Sequence, residues 1–191
     1  MPHRKLDRSR LDIRPLAERP NRVEIERDAA PVDSAPRKLT AGALDTLGET
    51  AAMIRKARKN GRSVVLAFGA HAIKNGMGPV LISLIEDGWV THLATNGAGV
   101  IHDWEIAFQG ATSEHVRKNI EQGRFGIWRE TGFYINLAIA VGAYRGLGYG
   151  ESVGRMILDD GLDIPSAAEL KRVGCFEGAV DIYAQNGQRK A

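Results

Sequence analysis

The residues best suited to chemistry lie close together in residues 91–105, THLATNGAGVIHDWE. His102, Asp103 and Glu105 follow a glycine turn made of Asn96, Gly97, Ala98 and Gly99. An imidazole changes charge near neutral pH, so His102 at the mouth of such a turn is a candidate to give or take a proton. The competing reading is a buried, hydrogen-bonded histidine. With the next helix expected over VIHDWEIAFQ, all three side chains fall in its first turn, where Asp103 and Glu105 also suit the positive helix end. The glycines permit positive φ and close approach of a ligand to the backbone. A second loop, residues 68–79 (FGAHAIKNGMGP), places His71 and Lys74 among small residues ahead of another helix start. Lys74 is there either to neutralise a phosphate or as a solvated side chain.

Such loops need strands to aim them. SVVLAF (63–68) is a short apolar run bounded by glycines, which predicts a buried parallel strand, and WVTHLAT (89–95) predicts a second. Before the first, Leu44, Leu47, Ala51, Ile54 and Ala57 recur at helical spacing as far as Asn60-Gly61. Between the strands, Pro79 opens a helix over VLISLIED that stops at Gly88. This helix, strand, loop, helix, strand, loop, helix order implies a layered α/β sheet with parallel crossovers. If the two strands are adjacent and parallel, the two glycine loops lie side by side, and backbone N–H groups at helix starts suit a phosphate or carboxylate.

Downstream, Thr112-Ser113-Glu114 reads as the N-cap of a short polar helix. GRFGIWRETG (123–132) reads as a loop, and YINLAIAVGAY (134–144) as a buried or interface helix. A further helix covers SVGRMILDD and ends at Gly161, with one short helix and a polar tail beyond. The chain divides into a charged, Pro-rich arm (1–40), a ligand-binding α/β domain (41–164) and a short helix with tail (165–191).

Bulk properties remove several function classes. Residues 1–40 carry 10 Lys/Arg against 7 Asp/Glu, while the remainder carries 16 of each. The basic excess therefore sits in the arm and leaves no cationic face for nucleic acid. The single cysteine, Cys175, excludes an internal disulfide and fits a reducing cytoplasm. No apolar run is long enough for a bilayer, and the N-terminus lacks a signal-peptide core, so no membrane role is expected. No Ser-His-Asp order, HExxH, Walker A or EF-hand pattern occurs, so nucleophilic and metal mechanisms lack support.

Taken together, the two loops in GAHAIKNGMGPVLISLIEDGWVTHLATNGAGVIHDWEIAFQG resemble the deoxyhypusine synthase family, in particular its bacterial deoxyhypusine-synthase-like members. That family has an SNxxSSG-type loop, a helix and a strand ending TTAGGVEED at about this separation. A looser match runs through GRFGIWRETGFYINLAIA and GLGYGESVGRMI, over roughly residues 44–162. The same segment is similar to the C-terminal domain of fused ornithine cyclodeaminases, which also bind NAD.

The resemblance implies a Rossmann-like, NAD-binding layered parallel sheet, assembled as a homotetramer with active sites between subunits. The family enzyme oxidises spermidine with NAD, then passes the aminobutyl group through an enzyme lysine to a translation-factor precursor. Thr95, Asn96, Gly97, Ala98 and Gly99 match the cofactor turn, and Gly69, Ala70 and His71 match the first cofactor loop. Ile101, His102 and Asp103 align with the EED triplet that helps to hold the cationic polyamine. Ile101 and His102 remove two negative charges there, which argues against a polycationic amine. The family continues for well over a hundred residues more, into the segment holding the lysine nucleophile, and neither Lys171 nor Lys190 has matching context. The expectation is an N-terminal half: truncated, completed by a separately encoded second half, or repurposed. The rival functions are a non-catalytic NAD-binding or assembly module and an ornithine-cyclodeaminase-like enzyme.

Overall fold

The computed structural model describes residues 7–35 and 38–172. In chain order, 3₁₀ turns at Arg8–Arg10 and Leu16–Glu18 precede β1 (Val23–Glu24), α1 (Ile25–Asp28) and α2 (Ala41–Lys59). Next come β2 (Val65–Ala67), α3 (Ala70–Lys74), α4 (Gly78–Glu86), β3 (His92–Ala94) and α5 (Gly97–Gln109). The remainder is β4 (Ala111–Thr112), α6 (Val116–Glu121), α7 (Arg129–Tyr144), α8 (Tyr149–Leu158) and α9 (Ala167–Arg172). The chain divides into two compact units between Ile135 and Asn136, inside α7. Cys175 and Lys190 lie outside the described residues.

The architecture is mixed α/β, with two two-stranded sheets among the described residues. β2 and β3 are parallel, with Val65 opposite His92, Leu66 opposite Leu93 and Ala67 opposite Ala94. The expected adjacency of the two strands therefore holds. The expected burial of the first strand does not: Val65 is 60% exposed on a sheet of only two strands among the described residues. The helix before it begins earlier than its apolar pattern suggests, since the Thr40 hydroxyl caps α2 by accepting from the Ala43 N–H at 3.3 Å. Leu44 and Leu47 on its apolar face are more than half exposed. No helix among the described residues is long and apolar enough to cross a membrane.

The arm is fastened to the first unit along much of its length. β1 pairs antiparallel with β4, Val23 opposite Thr112 and Glu24 opposite Ala111. Leu16 is buried, and its N–H donates to the Glu130 carboxylate at 2.5 Å. Further along, the Ala30 N–H donates to the Gly76 carbonyl at 2.9 Å. Gly76 has φ +80°, and a Cβ there would run into the Asp28 carbonyl, so only glycine allows the arm this close. Large apolar residues are sparse in the arm, and its attachment uses backbone hydrogen bonds that no hydropathy pattern displays.

Two boundaries downstream differ from expectation. Thr112 belongs to β4 and α6 starts later, at Val116, because strand pairing with the arm competes with capping for Thr112. Residues 129–132 of the expected loop are the first turn of α7. In the second unit, Gly142 of α7 packs against Ser152 of α8, beside buried Ala138, Val141, Val153 and Met156.

Candidate functional site

The parallel register of β2 and β3 brings both glycine loops out at the same ends of adjacent strands. One loop enters α3 at Gly69 and the other enters α5 at Asn96. At the second junction, Asn96 is in extended conformation and its side-chain oxygen accepts from the Gly99 N–H at 3.0 Å. This cap starts α5 at Gly97, three residues before the expected start. His102, Asp103 and Glu105 consequently lie in the second and third turns rather than the first, beyond the strongest part of the helix-end field.

The expected site residues fall into two groups. The N–H groups of Ala70, His71, Gly97 and Ala98 donate to no partner among the described residues, as is normal for helix starts. These four belong to the predicted cofactor loops. The positive φ that Gly97 and Gly99 permit is not used, since both are helical, and Gly69 has φ −92°. Gly99 is buried, and its missing Cβ leaves room for the Thr95 side chain, with Thr95 Cγ2 3.3 Å and Cβ 3.4 Å from where that Cβ would stand. The glycine at 99 serves strand–helix packing. His71 is exposed and Lys74 half-buried.

The second group is built around Glu105, which is 1% exposed. Arg19 of the arm reaches it with two parallel hydrogen bonds, Nη1 to Oε1 and Nη2 to Oε2, each 2.7 Å. The Arg19 guanidinium also bonds Asn21 Oδ1 at 2.9 Å and lies 5.6 Å from the Trp128 ring centre. Thr131 Oγ1 donates to Glu105 Oε1 at 2.9 Å, and Thr112 Oγ1 donates to Oε2 at 2.5 Å. On its other side, Thr112 Oγ1 stands 2.7 Å from His102 Nδ1. Gly110 makes this possible by closing α5 in the left-handed region at φ +69°, which turns β4 back so that Thr112 sits beside the helix it has just left.

Electrostatics follow from this arrangement. Burial pushes the Glu105 carboxyl up, but the hydrogen bonds from Arg19, Thr112 and Thr131 and the Arg19 charge bring it below 4.5, so it is ionised at neutral pH. Burial lowers the His102 pKa from 6.5; the Glu105 charge opposes this, while Lys74, Arg19 and His71 add to it. His102 is therefore neutral at pH 7. Asp103 is exposed by area and takes no part in the network, although desolvation raises its carboxyl from 3.8.

His102 is thus partnered with Glu105 through Thr112, and not with Asp103. Glu105 lies three residues from His102 on one helix face, a spacing that carried the signal. Nothing in the sequence pairs Arg19 or Thr131 with it. The other tryptophan-centred feature is apolar: Trp104, 4% exposed, stacks on Phe108 with centroids 4.7 Å apart. In the second unit a cleft of about 290 Å³ is lined in part by Arg145, Arg155, Asp159 and Asp163, and contains no residue of the expected site.

Comparison with known proteins adds no identification: no family model, no curated protein and no solved structure matches this chain.

Proposed function

We propose that this chain is a deoxyhypusine-synthase-like protein in which β2 and β3 form part of a Rossmann-like layer binding NAD at their carboxyl ends. One observation carries the reading: the parallel β2–β3 register, which sets the loops of Gly69-Ala70-His71 and Thr95-Asn96-Gly97-Ala98 side by side. In open α/β sheets, ligands bind outside the carboxyl ends of adjacent parallel strands. The free N–H groups of Gly97 and Ala98 at the start of the 13-residue α5 suit the pyrophosphate of a dinucleotide, and Ala70 and His71 supply further donors. Lys74 adds a positive charge beside them.

When bound, NAD supplies the acceptor for a hydride leaving a carbon that bears an amine. In this reading His102, neutral at pH 7, takes the proton released as the amine becomes an imine. Arg19, Thr112 and Thr131 hold the Glu105 end of its support. Ile101 beside His102 offers no negative charge to a polycation, which favours a smaller, less cationic amine over spermidine. The protein works as a homo-oligomer or with a second chain, a reading supported by the exposed apolar side chains Leu44, Leu47 and Val65. A non-catalytic module on the same fold is the second reading. It is favoured by Gly99, whose missing Cβ accommodates Thr95 instead of a ligand.

The test is a titration of the purified protein with NAD, followed by addition of spermidine or ornithine and measurement of NADH absorbance. Saturable NAD binding with NADH formation supports the enzymatic reading, and the productive amine separates the synthase-like from the cyclodeaminase-like form. Saturable binding without turnover selects the non-catalytic module. Absence of NAD binding rejects the pocket.

A further inference from the structure

Among the described residues, the network around Glu105 has a consequence for the protons on His102. Glu105 is ionised and accepts only, and both its oxygens are engaged by Arg19. The one hydrogen on Thr112 Oγ1 is therefore committed to Glu105 Oε2, at 2.5 Å. Thr112 Oγ1 is left with lone pairs only toward His102 Nδ1, 2.7 Å away, so Nδ1 must carry a hydrogen. A neutral imidazole carries one hydrogen, which leaves Nε2 with a lone pair. Nε2 makes no hydrogen bond among the described residues, and the ring is half-buried on the helix that rises from the Asn96 turn. The charges acting on this ring are Glu105, Lys74, Arg19 and His71.

We infer that Thr112 and Glu105 are positioning residues that lock His102 as its Nδ1–H tautomer and present Nε2 as the atom that accepts a proton from a ligand amine. The role of the amine rests on the function proposed above; the tautomer does not. The order carboxylate, hydroxyl, imidazole inserts a threonine between the carboxylate and the ring. The carboxylate orients the hydroxyl, and the hydroxyl orients the imidazole. Arg19, by fixing both oxygens of Glu105, keeps the carboxylate from turning away or taking up the threonine proton.

The tautomer is read directly by long-range ¹H–¹⁵N correlation of protein labelled at histidine nitrogen, at pH 7 and with neither NAD nor amine present. A His102→Gln variant assigns the signals. Wild-type protein is expected to show a protonated Nδ1 and an unprotonated Nε2. Thr112→Val keeps the shape of the side chain and removes the acceptor, so the ring is expected to move toward the Nε2–H form, while Thr112→Ser retains the wild-type pattern. If Thr112→Val fails to fold, the wild-type and Thr112→Ser spectra decide. An Nε2–H signal in the wild type, or an unchanged tautomer in folded Thr112→Val, overturns the inference. Lack of NAD binding in a protein whose His102 is Nδ1–H rejects the proposed function alone.

Discussion

Replacing Arg19 with methionine removes the counter-charge of a carboxylate that has almost no access to water. The two side chains are 3% and 1% exposed, and two 2.7 Å hydrogen bonds join them. Losing one partner of such a pair typically costs about 3–5 kcal/mol, because the remaining charge is buried and uncompensated. Glu105 has an escape, which is to bind a proton. Its unperturbed value is 4.5, and holding a proton above that value costs about 1.36 kcal/mol per pH unit. The cost of holding that proton is therefore about 3.4 kcal/mol at pH 7 and about 0.7 kcal/mol at pH 5, in addition to the lost wild-type pairing.

The signs in the two proteins are opposite. In the wild type the folded Glu105 value lies below 4.5, so the pairing contributes stability that is full above 4.5 and lost as pH falls through the lower folded value. In Arg19→Met the folded value rises, the folded state holds a proton that the unfolded state lacks, and stability declines from pH 5 to pH 7. Urea unfolding at both pH values measures the difference between the proteins. Groups outside the network contribute equally to both and cancel; His102 feels the Glu105 and Arg19 charges in opposite directions, and its share is read from the double variant that lacks both. Adding Glu105→Gln to Arg19→Met removes the charge and should abolish the pH dependence of the difference. A loss below about 1 kcal/mol at pH 7, or the same loss at pH 5 and 7, would refute the reasoning.

Two further substitutions test the packing. Gly76→Ala places a Cβ against the Asp28 carbonyl group, with its carbon at 2.9 Å and Ala29 Cα at 3.0 Å, at a φ of +80°. It should release the arm, accelerating hydrogen exchange at the Ala30 N–H by at least about tenfold, the equivalent of about 1.4 kcal/mol; unchanged exchange would show that the arm is held elsewhere. Gly142→Ala sets a methyl group against Ser152, with Cβ at 2.5 Å and backbone Cα at 3.2 Å. Overpacking of about 1–3 kcal/mol should outweigh the gain of about 1 kcal/mol in helix propensity. The melting temperature followed by far-UV circular dichroism should fall, and a rise would contradict the close α7–α8 approach.

Local chemistry was legible in the amino-acid order. Gly61 and Gly88 in the left-handed region, Pro79 at a helix start, and apolar runs bounded by glycine mark elements within residues 41–110. They also mark the two loops that the parallel strands bring together. Helix starts were less legible. Asn96 captures the Gly99 N–H and draws Gly97 into α5, although glycine has poor helix propensity. That shift alone moves His102 and Glu105 out of the first turn.

The partners of those residues depended on tertiary structure. Arg19 lies 86 residues before Glu105 and Thr131 lies 26 after it, and no periodicity links positions so far apart. Composition shows the arm only as a charged, Pro-rich segment, whereas the fold uses one of those charges to neutralise a buried carboxylate. Thr112 illustrates the same limit: its type suits an N-cap, but strand pairing with Val23 places its hydroxyl between Glu105 and His102. The sequence by itself determined which local conformations and titratable groups were available. Only the folded chain, by excluding water from Glu105, decided which of those groups had to find one another.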